Sequence, residues 1–290
     1  MLSLVLDNSK PARVRALALR NLPIDFPRLT VKTLEELVSS GNFYLLREAV
    51  QTLAAHPCSS KEIPLVKIAL DPKVPFELRA DAIAGLARFA ETQTPLLKKL
   101  QVSKHSILAM EASRSLASAG IITRQVEEKP AADDIPAWET MLDAVPQKPN
   151  KKLGRRLFFH SQLAACYKCH AVDGRGMEVG PNLTYIDNQS GNDRSWLLQH
   201  ILNPSSEVAP YYRPQVITTK NGKSQMGFII GREGNSQSYV AMDGKTFSVK
   251  KSEVTNREEL PMSIMPAGLL SPLTMQEVRD LLAYLLQDRT

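Results

Sequence analysis

Five consecutive residues, Cys166-Tyr167-Lys168-Cys169-His170, concentrate the chemistry of this chain. Two thiols separated by two residues and followed at once by histidine form the attachment signature for c-type haem. Each thiol can add to one vinyl group and fix the porphyrin through a thioether. On a helical turn the adjacent imidazole is then held against the iron as proximal ligand. Two other readings compete. A zinc site needs four ligands, and with Cys58 as the one remaining cysteine, His160 or His200 would have to complete it. A thioredoxin-like redox pair expects a βαβ context, whereas the preceding GRRLFFHSQLAA reads as helix. Haem attachment accounts best for the pattern.

The motif leaves the second axial position of the iron open. A soft thioether there raises the reduction potential and suits electron transfer. Met265, in SIMPAGLL, is the leading candidate, because Pro266 stiffens a loop just before the last helix. Met262 is a near alternative. Met177, Met226 and Met242 read as gap-filling core residues, as does Cys58, taken as a small buried side chain.

The elements that must position these groups follow from periodicity. Residues 10–120 read as repeated helices. Ala18, Ala49, Ala82 and Ala112 each begin an Ala-x-x-x-Leu pair, at spacings of 31, 33 and 30 residues. Paired helices at this period predict an α-solenoid, with further helices at Thr30 to Val38, Lys61 to Leu70 and Thr94 to Leu100. Residues 121–150, rich in proline and mixed charge, read as a linker with a short helix around Trp138 to Leu142. Beyond the haem motif, strand chemistry appears at Val216 to Thr219, Gln225 to Ile230, Ser238 to Met242 and Thr246 to Lys250, with turns at Asn221-Gly222, Gly231 to Asn235 and Asp243-Gly244. A closing amphipathic helix spans Thr274 to Gln287.

Composition sets the outer limits. The 290 residues are 43% hydrophobic and 23% charged, with 36 basic and 30 acidic side chains for a net +6. That mild excess does not call for a nucleic-acid partner. Three cysteines exclude a disulfide-stapled scaffold. No run is long enough to span a bilayer as a helix, and the first residues carry no secretory signal. KKLGRR, Lys151 to Arg156, reads first as a solvated helix start.

Segment 151–290 resembles a class I cytochrome c domain. GRRLFF is similar to that family's first helix, GPNL at Gly180 to Leu183 to its loop beside the proximal ligand, and MPAGLLSPLTMQEVRDLLAYLL to its methionine loop and last helix. The likeness sharpens to the PVC-type (planctomycete and verrucomicrobial) CxxCH haem-binding family through GPNLTYI and RSWLLQHILNPSSEVAPYY. Segments FYLLREAVQTLAAHP and FELRADAIAGLARFA resemble HEAT-type repeats. The resemblance implies that the Pro181 carbonyl accepts a hydrogen bond from His170, orienting the ring, and that Gly154 and Phe158 pack against Tyr284.

The expected architecture is therefore mainly α: HEAT-like helical repeats over 1–120, a Pro-rich linker over 121–150, and a cytochrome c fold over 151–290 with a small antiparallel β insertion at about 211–258. The expected cofactor is one covalent haem c, bound by Cys166, Cys169, His170, Pro181 and Met265, with His170 and Met265 on the iron. The expected function is single-electron transfer rather than turnover of a substrate. Partners would be a redox protein or a fused dehydrogenase module, with a protein partner on the repeat surface, and without nucleic acid or a transmembrane segment in this chain. The competing functions are a gas-binding or peroxidase-like haem with an open distal site, and a repeat scaffold with a structural haem. Haem attachment also implies an extracytoplasmic, periplasmic setting, so the chain is expected to be the C-terminal portion of an exported protein, or a shortened product.

Overall fold

The computed structural model describes residues 1–24, 26–241 and 246–286. Met242, the expected Asp243-Gly244 turn and Gln287, the expected end of the last helix, lie outside them. The described residues are mainly α-helical, with a five-stranded antiparallel sheet and a two-stranded one formed by two-residue strands.

Helices α1 (Leu2–Leu6), α2 (Ala12–Arg20), α3 (Val31–Val38), α4 (Phe43–Ala55), α5 (Glu62–Leu70), α6 (Phe76–Gly85), α7 (Thr94–Gln101) and α8 (Ser106–Ser118) come first. They are followed by α9 (Ile135–Asp143), α10 (Lys151–Phe158), α11 (Ile186–Gln189), α12 (Arg194–Leu202) and α13 (Met275–Leu285). Strands β1 (Ala171–Val172) and β2 (Arg175–Gly176) are two residues each. Strands β3 (Gln215–Thr219), β4 (Ser224–Glu233), β5 (Ser236–Ala241), β6 (Thr246–Lys250) and β7 (Val254–Glu259) form one sheet in the order β6-β5-β4-β3-β7, antiparallel throughout.

The chain divides into two compact units. One comprises Met1–Val126 with Lys152–Tyr167 and Asp173–Gly176. The other comprises Glu127–Lys151, Lys168–Val172 and Met177–Thr290.

In the first unit, α4 packs between α2 and α6, and α6 between α4 and α8, while α3, α5 and α7 each pack on the helix that follows. The four Ala-x-x-x-Leu pairs lie in this core: Ala18, Leu22, Ala49, Leu53, Ala82, Leu86, Ala112 and Leu116 are all buried. Small residues allow close approach. A Cβ on Gly85 of α6 would stand 2.8 Å from the Ala54 Cα of α4. Thr30 caps α3 by accepting the Thr33 N–H, and Asn42 caps α4. Cys58 departs from the sequence reading. Its thiol is exposed, not buried, because it stands where the chain leaves α4 for the turn Ser59–Lys61, and it meets the Ser60 hydroxyl at 2.9 Å.

In the second unit, α9 packs on α12 and α13. It buries Trp138 and Leu142, and the Trp138 indole donates to the Ala131 carbonyl. Arg194 of α12 pairs with Glu139 and Asp143 of α9. Trp196 is half-buried and lies against the His200 ring, while Leu197, Leu198 and Leu202 supply the buried face. A full capping box of Thr274 and Glu277 begins α13. In the sheet, alternation divides β4 and β5 between two faces. Tyr239 joins Ile217 and Val249 on one face, whereas Phe228 and Val240 join Val179 on the other. Strand β7, Val-Thr-Asn-Arg-Glu-Glu, is an addition to the expected strands and pairs with β3 at the sheet edge.

Candidate functional site

The motif begins in a single 3-10 turn, Cys166–Lys168. A turn this tight brings residues three apart onto one side, as a Cys-x-x-Cys pair gripping one object requires. Neither thiol is in a disulfide, and both are half-buried. Burial pushes the Cys169 thiol above its ordinary range, the wrong direction for a reactive redox cysteine. Two alanines with positive φ, Ala164 and Ala165 (both +52°), precede the turn, and Asp173 (+51°) follows it. Each costs on the order of 1–2 kcal/mol in a residue with a Cβ, so the surroundings must hold this backbone in place.

His170 is half-buried, and its Nδ1 lies 2.8 Å from the Pro181 carbonyl. A carbonyl can only accept, so Nδ1 carries the proton and Nε2 keeps its lone pair. Burial lowers the ring's pKa, against the opposing effect of the Pro181 bond, which favours the neutral, ligating imidazole. Gly180 closes the ring's other contact: a Cβ there would stand 2.7 Å from Cε1 and 3.0 Å from Nδ1. The Gly180 N–H donates to the Cys169 carbonyl and the Leu183 N–H to the Ala171 carbonyl, both at 2.8 Å, so the GPNL loop is laced to the motif by its backbone.

Cys169 packs on the apolar cluster of Val179, Phe228 and Val240, which also receives Met177, Tyr212 and Ile264. The sheet thus walls the motif, and the residue before Met265 reaches the same cluster as Cys169. Met265 is half-buried and Met262 is 53% exposed. The Met265 N–H donates to the Ser263 hydroxyl, and the Ser263 N–H to the Ser205 hydroxyl, both at 3.1 Å. A cavity of about 680 Å³ opens beside the cluster, between Glu178, Gly180, Tyr211, Tyr212 and Ile230. Neither His170 nor Met265 lines it, so it is an opening next to the site.

His160 is fully buried, and its Nδ1 accepts the N–H groups of Gln162 and Leu163. His200 bonds the Trp196 carbonyl. Among the described residues no three His, Cys, Asp or Glu side chains gather as a metal-holding group.

The sequence reading missed a set of buried acids. Glu48, Asp81 and Glu111 each directly precede a repeat alanine, and they are 1%, 7% and 0% exposed. Glu111 pairs with Arg114 of its own helix at 2.6 Å. Asp81 pairs with Arg156 at 3.0 Å, and Glu48 with Arg175 at 2.6 Å. KKLGRR is therefore only partly a solvated helix start, since Arg156 is a buried ion-pair partner. The repeat period, carried one residue back from the alanines, marks the register the three acids share.

No family model matches the chain, and no curated protein matches it.

Proposed function

We propose that this chain is a c-type cytochrome that passes single electrons through one haem, which Cys166 and Cys169 would hold covalently and whose iron His170 and Met265 would ligate. The observation that carries the reading is the His170 ring. Its Nδ1 is committed to the Pro181 carbonyl and its edge is packed on Gly180, which leaves Nε2 as the ligating nitrogen. The residues present fit the group: two thiols three residues apart about one tight turn, a neutral oriented imidazole, and an apolar cluster joining Cys169 to the methionine loop. The greater burial of Met265 favours it over Met262.

The bound haem supplies a metal centre that accepts and releases one electron at a time. The chain's own residues do the remaining work. The Pro181 carbonyl fixes the tautomer and raises the basicity of His170. Val179, Phe228 and Val240 exclude water near Cys169. The Ser263 and Ser205 hydroxyls hold the backbone of the methionine loop. We read residues 151–290 as a cytochrome c fold with a β insertion. The layered α2–α8 helices are read as HEAT-like repeats, and the setting as extracytoplasmic, where bacterial haem-attachment machinery acts.

Expression of the full chain with haem-maturation machinery tests the reading. The reduced protein should give a low-spin spectrum, and Met265→Ala should abolish the methionine–iron charge-transfer band. A five-coordinate spectrum of the parent, or a band unchanged in the variant, would refute the ligand assignment.

A further inference from the structure

The repeat helices carry a buried acid at each of three successive registers, Glu48, Asp81 and Glu111, and the three are not filled alike. Glu111 is met by Arg114 from its own helix. The other two are met by arginines from the segment that bears the motif: Arg156, ten residues before Cys166, and Arg175, five residues after His170. Arg175 is 4% exposed, and also donates to the Thr52 hydroxyl at 2.8 Å. Gly174, at φ +77°, lies so close to α2 that a Cβ would fall 2.4 Å from Asn21 Oδ1. Upstream, the Ser161 hydroxyl donates to the Ala84 carbonyl of α6, and Arg155 reaches Gln51 of α4. The backbone under strain at Ala164, Ala165 and Asp173 lies between these anchors.

We propose that Glu48 and Asp81 are positioning residues for the attachment motif, clamping the two ends of the segment 156–175 through Arg175 and Arg156. The repeats are then part of the apparatus that sets the motif's geometry, in addition to any surface they offer a partner. The energetics support a built clamp. A buried ion pair is a poor way to gain stability compared with apolar packing, but it demands one geometry, which is useful where a short turn must be held in an unfavourable conformation. Glu48 also receives Arg20 at 2.7 Å and Arg47 at 3.1 Å, so it stays compensated when Arg175 alone is altered. The bearing of the clamp on electron transfer rests on the haem reading above; the clamp itself does not.

Hydrogen exchange on the full chain, purified with whatever pigment it carries, tests this directly. In Arg175→Gln the amides of Gly180 and Leu183, which bond the Cys169 and Ala171 carbonyls, should exchange at least tenfold faster than in the parent. Amides inside α4, α6 and α13 should keep their rates. Arg175→Lys, which retains the charge opposite Glu48, should recover much of the protection. Unchanged exchange at 180 and 183 would overturn the proposal. So would an equal acceleration across α4, α6 and α13, which would make Arg175 a residue of general stability. The pigment's presence, read separately from the intact mass, reports on the haem reading without affecting this result.

Discussion

The two compact units hold their parts of the motif region by opposite means. The helical unit grips with buried charge: Arg156 on Asp81 and Arg175 on Glu48. The sheet-bearing unit grips with neutral groups, namely one carbonyl on the His170 ring, two backbone bonds from the GPNL loop and an apolar cluster around Cys169. Buried charge specifies position and fails sharply when one partner is lost. Neutral packing gives gradually and tolerates changes of pH. Within the helical unit the charges hold Arg156 and Arg175, and within the other the neutral contacts keep the His170 imidazole neutral.

If this contrast is right, the largest effect falls on the charged side. Glu48→Gln leaves the buried Arg175 guanidinium without the carboxylate it pairs with, and should cost roughly 4 kcal/mol in denaturant unfolding. A loss within about 0.5 kcal/mol, the range of an ordinary surface change, would show that the charges are not structural. Acid should attack the same place next. Burial raises the Glu48 carboxyl, but the Arg20 hydrogen bond and the charges of Arg175 and Arg20 outweigh it, bringing it to about 2 against a usual 4.5. Because the folded value lies below the unfolded one, this contribution is complete above about pH 4.5 and is lost as pH falls towards about 2. It amounts to roughly 3 kcal/mol, and Glu48→Gln should flatten the stability profile in that window.

The neutral side should respond least in stability and most in spectroscopy. Gly180→Ala puts a methyl 2.7 Å from His170 Cε1, so the ring or the loop must shift, at a cost of about 2 kcal/mol. In haem-loaded protein the visible bands should move, while the acid profile keeps its shape. If instead Gly180→Ala altered the acid profile and left the bands in place, the division between charged and neutral grips would be wrong.

Much of this architecture was legible in sequence, for identifiable reasons. The Ala-x-x-x-Leu register named core positions because small and branched residues at a fixed helical spacing have few other uses. The resemblance of GPNL to a loop beside a proximal histidine led to the bond from His170 to Pro181, which the structure contains. What stayed hidden depended on partners remote in sequence. Glu48 and Asp81 look like solvated helix positions until Arg175 and Arg156 arrive, more than seventy residues later in the chain. Strand β7 lacks alternation because, at the sheet edge, nearly all of its side chains are exposed. Cys58 was misjudged because a thiol's burial is set by where the chain turns, and here the turn at Ser59–Lys61 leaves it outside.

The central claim is that Cys166 and Cys169 carry a covalent haem. Its most direct test is the intact mass of the denatured full chain after expression with haem-maturation machinery. The account requires the chain mass plus one haem, retained through denaturation and lost when both cysteines are replaced by alanine. A colourless protein at the bare chain mass, under conditions that mature a known c-type cytochrome, would contradict it.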